Sequence, residues 1–240
     1  MSHPAPQDQP DAPVDGDGDG ADAVADADAD AGPDAKPDTR SGSGSGDRGG
    51  LRERLVRTGV ALVYAEGAQA LTLREIARRA GVSHGAPRRW FPTHLDLLSA
   101  IAREGFAELT ARVAEADRPD AGPRARAEIL ARVYLAYASE RRGMYELMFR
   151  HELLESGRLG LRETSLPLFA RLTAVVAELR PATVTGVDPV TAAGALWANL
   201  HGLAQLGHWG SLALATGSDG PAPLVRATLD AHLGPAGPTR

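Results

Sequence analysis

The sequence predicts an all-α protein with a helix-turn-helix unit of three helices, a larger helical unit after it, and a disordered acidic tail in front. Three observations predict this. Apolar residues recur at helical spacing from Leu51 onward, and no strand-like alternation persists anywhere. Prolines at 119, 123, 181, 189, 221 and 223 stand at the edges of the apolar runs, where helices begin or end. Charge is unevenly placed. Residues 1–50 hold twelve aspartates against Lys36, Arg40 and Arg48, a net −9, whereas residues 51–94 hold eight arginines against Glu53, Glu66 and Glu75, a net +5.

The boundaries follow from these shifts: 1–50 as tail, 51–98 as the helix-turn-helix unit, and 99–240 as the helical remainder. The tail, with runs such as "DGDGDGADAVADADADAG" and "SGSGSG", lacks the apolar side chains that offset ordering entropy. The first helix then carries Val56, Val60, Val63 and Tyr64 on one face and stops at Gly67. Thr72 and Glu75 form a capping box that opens a helix of about two turns, with Ile76, Ala77 and Ala80 buried and Gly81 at its end. Ser83 caps a second short helix, closed by Phe91-Pro92. Thr93 with Asp96 caps a long helix carrying Leu98, Ile101, Gly105, Leu109 and Val113. Further helices are expected near 124–140, 143–155, 160–180, 188–210 and 221–233.

Two short capped helices joined by a tight glycine turn describe a helix-turn-helix, whose second helix lies in a DNA major groove. Arg88 and Arg89 on that helix supply charge and paired donors suited to phosphates or guanine edges. Trp90 beside them is expected to be half-buried.

The stretch "LTLREIARRAGVSHGAPRRWFPTHLDLLSAI" resembles the DNA-binding domain of the TetR family of transcriptional regulators. The resemblance rests on a Thr-x-x-x-Ile-Ala core, an Ala-Gly-Val-Ser turn, a Phe-Pro step and the capped helix after it. It implies Thr72 and Ser83 as phosphate contacts, and His84, Gly85 and Ala86 as the start of the recognition helix. Arg88, Arg89, Trp90 and His94 complete the expected DNA-binding set. Arg88 stands where the family usually has Tyr, and His94 where it often has Lys. The resemblance further implies a homodimer on a pseudo-palindromic double-stranded operator, released by a small-molecule effector held in the C-terminal unit.

In that unit the spacing Trp197…His201-Gly202 resembles a subgroup with a Trp-His-Gly pattern, which places Trp197 and His201 in an effector pocket. Tyr134, Tyr137, Met148 and Phe149 are further pocket candidates, because methionine and aromatic side chains suit adaptable apolar cavities. They suit an ordinary core equally. The dimer interface is expected on the last two helices at Leu203, Leu206, Leu224, Val225 and Leu229, with Gly202 and Gly207 allowing close approach.

Other functions find little support. His201 and His208 are seven apart, His151 precedes Glu152, and nothing forms H-E-x-x-H, a P-loop or G-x-S-x-G. No metal, no cofactor and no enzymatic activity are expected. Absent cysteine fits a reducing compartment. Without an apolar leader or membrane span, a cytoplasmic protein without membrane association is expected. The alternative is a ligand-independent DNA-binding or architectural protein, which a filled C-terminal core would favour and a roomy cavity would oppose.

Overall fold

The computed structural model describes residues 46–156, 160–181, 186–217 and 220–236. Among them lie ten α-helices, two short 3-10 helices and no strand. Residues 1–45 of the expected tail lie outside the described residues. Its last five residues do not follow the expectation: α1 spans Gly46–Glu66 and so begins inside the tail. Once the apolar face from Leu51 is packed, the helix extends backward at little cost per residue, because propagation is easier than nucleation.

A 3-10 turn at Ala68–Ala70 leads to α2, Leu73–Arg79. The Thr72 hydroxyl accepts the Glu75 N–H at 3.1 Å, as expected of an N-cap. The reciprocal half of the box is absent. The Glu75 carboxylate takes Arg78 and Arg79 instead, at 2.6 Å each, because two guanidiniums outbid one backbone N–H. Gly81, at φ +67°, ends the turn after α2.

The expected second helix is a single 3-10 turn, Pro87–Arg89. Pro87 has no N–H to give, so short bonds carry the segment: Ala86 N–H to Ser83 O at 3.0 Å and Trp90 N–H to Pro87 O at 3.0 Å. Ser83 therefore acts through its carbonyl and makes no side-chain cap. α3, His94–Ala116, opens on a complete capping box between Thr93 and Asp96.

α4 (Pro123–Glu140) follows. The helix expected over 143–155 divides into α5 (Arg142–Met148) and α6 (His151–Ser156). No Gly or Pro marks the break. Phe149 leaves helical geometry there, and its ring packs against Phe106, Tyr145 and His201. α7 (Leu161–Leu179) carries Pro167 in its interior. α8 (Pro189–His208), the short and unexpected α9 (Ser211–Thr216) and α10 (Ala222–Leu233) complete the fold.

One core runs from α1 through α5 and α6, including Leu55, Leu62, Ile76, Phe91, Ile101, Tyr145 and Leu153, all fully buried. Each such Leu, Ile or Phe contributes about 1.5–3 kcal/mol. No break in packing falls at residue 98. α5 lies against both α1 and α3, and Gly143 comes so close to α1 that a Cβ there would meet Val63 O at 2.8 Å and Gly67 Cα at 2.9 Å. A second core joins α4, α7, α8 and α10 through Ala131, Val176, Ala193, Leu196, Leu200 and Leu229. The Arg124 side chain bonds Leu229 O and Gly234 O, satisfying carbonyls at the end of α10, and pairs with Asp230 at 2.5 Å.

Candidate nucleic-acid interface and effector cavity

The residues expected to touch DNA do not all face solvent. Thr72, Ser83, His84, Gly85, Arg88, Arg89 and His94 are exposed and lie in or beside the turn between α2 and α3. Ala86 is half-buried. Trp90 is half-buried, as expected, and packs onto the first core. The His94 ring is partly committed, since its Nε2–H donates to the Leu71 carbonyl at 2.6 Å and ties the start of α3 to the turn before α2.

The arginines divide into two groups. Arg78 and Arg79 are neutralised by Glu75, and Arg79 also by Glu66 at 2.5 Å. These two guanidiniums hold the Glu75 carboxyl down at about 2, the Arg78 bond contributing most. Arg54, Arg57, Arg74, Arg88 and Arg89 have no carboxylate partner among the described residues. Arg74 sits on the first turn of α2, two residues after exposed Thr72. It lies outside the set expected from the sequence, although its spacing from Thr72 was visible there. Arg52 lies over the Phe91 ring at 5.4 Å.

The larger helical part contains a cavity of about 720 Å³. α3 lines it with Phe106, Leu109 and Val113, α4 with Tyr134, α7 with Phe169 and Leu172, and α8 with Trp197 and Leu200. Phe149, between α5 and α6, completes the ring-rich wall. Of the expected pocket residues, Tyr134, Phe149 and Trp197 line this cavity.

Tyr137 and Met148 do not. Both are fully buried in the first core, where the Tyr137 hydroxyl donates to the Gly105 carbonyl at 3.1 Å. Met148 fits beside Gly105, where a Cβ would approach its sulfur to 2.6 Å. Arg112 covers the Tyr137 ring at 5.2 Å. Both side chains meet α3 at Gly105. The residues that sequence reasoning missed are chiefly Phe106, Phe169 and Leu172. Each sits on an ordinary amphipathic face, with no local signal separating cavity wall from core.

His201 stands just behind the wall. Its Nδ1 lies 2.6 Å from the Tyr145 hydroxyl and 2.9 Å from that of Tyr134, and those hydroxyls are 2.9 Å apart. The Trp197 indole N–H donates to the Tyr134 oxygen at 3.2 Å. One directed chain satisfies all four groups: Trp197 N–H to Tyr134, Tyr134 O–H to Tyr145, and Tyr145 O–H to the His201 Nδ1 lone pair. That chain assigns the Nε2–H tautomer to His201. Burial lowers the His201 pKa, favouring the neutral ring, and raises those of Tyr134 and Tyr145, the latter to about 12.

The expected interface residues also divide. Leu229 is 1% exposed inside the second core, and Val225 packs against that core, as does Leu203. The apolar stripe of α10 is therefore consumed within the subunit by α4 and α8. Leu224 is half-buried, while Leu206 remains open at 39% exposure, with Trp209 at 66% and Leu214 at 89% near it. A Cβ at Gly202 or Gly207 would meet no other atom within 4 Å.

Among the described residues no helix is long and apolar enough to cross a membrane, and no group of three His, Cys, Asp or Glu could hold a metal ion.

Comparison with known proteins places this geometry. Residues 55–101 match the model described as bacterial regulatory proteins, tetR family, and residues 127–232 match a tetracyclin repressor-like C-terminal domain. Together the two matches cover more than half of the chain. Neither description supports the Trp-His-Gly subgroup. No curated protein matches. A protein of unknown function from Rhodococcus sp. RHA1 is 28% identical, with a TM-score of 0.63 over 80% of this chain and 97% of its own. The multidrug binding protein EbrR, complexed with ethidium, is 27% identical, with a TM-score of 0.52 over 76% of this chain and 98% of its own. A regulatory protein in the tetR family from Rhodococcus RHA1 shares the fold at 22% identity, with a TM-score of 0.54 over 78% of this chain and 98% of its own.

Proposed function

The chain belongs to the tetR family of DNA-binding transcriptional regulators, and on that premise we propose that it is a homodimeric repressor released from its operator when a small molecule enters the cavity. The observation that carries this reading is the course of α3. It follows the reading segment directly in the chain, its first turn capped by the Thr93–Asp96 box and fastened by His94 to the Leu71 carbonyl before α2. Three turns later Phe106, Leu109 and Val113 line the cavity. Its 23 residues span roughly 34 Å at about 1.5 Å rise per residue. A ligand that shifts the far half of a rigid helix shifts its near end as well.

In this reading His84, Gly85, Arg88 and Arg89 meet the major groove, and Thr72, Arg74, Ser83 and His94 meet the backbone. Phosphate contacts position the segment, and base-edge contacts specify the site. One 3-10 turn reads few base pairs, so two subunits on a two-fold axis are needed for a specific site. The face of α8 around Gly202 and Leu206 supports an isologous contact, because the space beside the Gly202 Cα is empty of other elements of its own subunit and leaves room for a partner helix. A roomy cavity favours an effector-sensing regulator over an architectural protein, and the ethidium complex of EbrR supports an aromatic effector.

The test begins by selecting an operator from random DNA with the purified full chain. Anisotropy of the labelled operator is then followed while aromatic compounds are added. Release at a concentration matching direct binding to the protein is expected. Tight cavity binding that leaves operator affinity unchanged would remove the switch from this account.

A further inference from the structure

The polar groups along the cavity wall are already matched to one another. Trp197 donates to Tyr134, the tyrosine hydroxyls lead to His201, and the Ser165 hydroxyl donates to Arg162 O at 3.4 Å. The remaining wall is rings and aliphatic side chains. The charged or titratable lining groups, His151, Glu155 and Arg162, sit at the outer rim. The side chains of His151 and Glu155 are 87% and 72% exposed and pair at 3.3 Å. Arg162 is exposed as well, and its Nε donates to Leu154 O at 3.3 Å.

We propose that the cavity takes an uncharged, ring-bearing lipophile, recognised by shape and dispersion and not by hydrogen bonds or charge. The inference rests on the reading of the cavity as the effector site. A charged group among the rings would lose its hydration and find no counter-charge, and the attraction of a cation to ring faces returns less than that hydration is worth, so it would have to stay at the rim. The rim carries one carboxylate and one guanidinium, so it selects neither sign. The aromatic wall offers what remains, flat polarisable surface in offset or edge contact with a flat ligand.

Three probes of equal outline separate the possibilities: anthracene, acridine at pH 8 where it is uncharged, and N-methylacridinium, a fixed cation. Each is titrated into the full-length protein without DNA, in dilute dimethyl sulfoxide, and the quenching of tryptophan fluorescence is read. Anthracene and acridine should bind within about fivefold of each other. N-methylacridinium should bind at least tenfold more weakly. Phe169→Ala should weaken anthracene and acridine by tenfold or more, with the helical spectrum retained, which places both in this cavity. Tighter binding of the cation, a preference of more than tenfold for acridine over anthracene, an unaltered Phe169→Ala protein, or no binding of any probe would each overturn the inference. Operator release is read separately with acridine and with N-methylacridinium. Binding without release leaves the ligand class standing and removes the switch, whereas release by the cation alone removes the class and keeps the switch.

Discussion

Replacing Arg88 with alanine removes one exposed guanidinium from each reading segment, and that residue has no carboxylate partner among the described residues. A two-fold dimer therefore loses two cationic contacts at once. If both meet phosphates, the slope of log affinity against log salt becomes shallower by about 1.8, at roughly 0.9 per contact. Between about 50 and 200 mM salt, the variant then loses roughly tenfold less affinity than the parent does. A base contact gives a different signature: a penalty of about 1–3 kcal/mol confined to one base pair of each half-site. Arg89→Ala is treated in the same way. Arg78→Ala is the internal comparison, because Glu75 holds that guanidinium at 2.6 Å and already cancels its charge. Its slope should change by well under about one unit. The assay is anisotropy of a labelled operator at four or more salt concentrations. Unchanged slope and unchanged sequence preference in both the Arg88 and Arg89 variants would refute the assignment of this segment to DNA.

Gly143→Ala should lower stability by about 1–3 kcal/mol, since the new Cβ meets backbone at 2.8 and 2.9 Å and not a yielding side chain; urea unfolding should show a lower midpoint at unchanged slope. Gly202→Leu should leave the fold intact, because the site is open within the subunit. It should also weaken dimerisation and operator binding together, by tenfold or more, and a full-strength dimer in light scattering would move the interface elsewhere. Stability should fall as pH drops below about 6.5, the unfolded histidine value. Burial lowers the folded pKa of His201, and burial with the Arg180 charge lowers that of His232, so the unfolded chain binds more protons there. The loss should level off below the folded values, and His201→Phe should shrink it; the same decline in that variant would show that His201 carries none of it.

Local signals were legible in the sequence, and partner choice was not. The Thr93–Asp96 box depends on residues three apart, and the structure contains it whole. The Thr72 box looked equivalent, but Glu75 was drawn to Arg78 and Arg79, two attractive partners that the motif ignores. Helical periodicity located the apolar stripe of α10 correctly. It could not say whether that stripe meets another helix of the same subunit or of a second one, and Leu229 lies in the subunit's own core. The same limit separates Tyr134 from Tyr137. They sit three residues apart on α4, yet one lines a cavity and the other lies under Arg112 in the core. The break between α5 and α6 falls where the Phe149 ring packs against Phe106 and Tyr145, a long-range seat that no Gly or Pro announces.

The central claim is that one helix carries the state of the cavity to the DNA-reading segments. The chain has no cysteine, so Gln69→Cys places a single spin label on each subunit, on the exposed 3-10 turn between α1 and α2. The label-to-label distance in the dimer is measured by pulsed electron resonance, with and without a compound that releases the operator. The account predicts a shift of several ångströms in the distance distribution on binding, absent when the compound is added to the Phe169→Ala protein. Operator release with the distribution unchanged would contradict it.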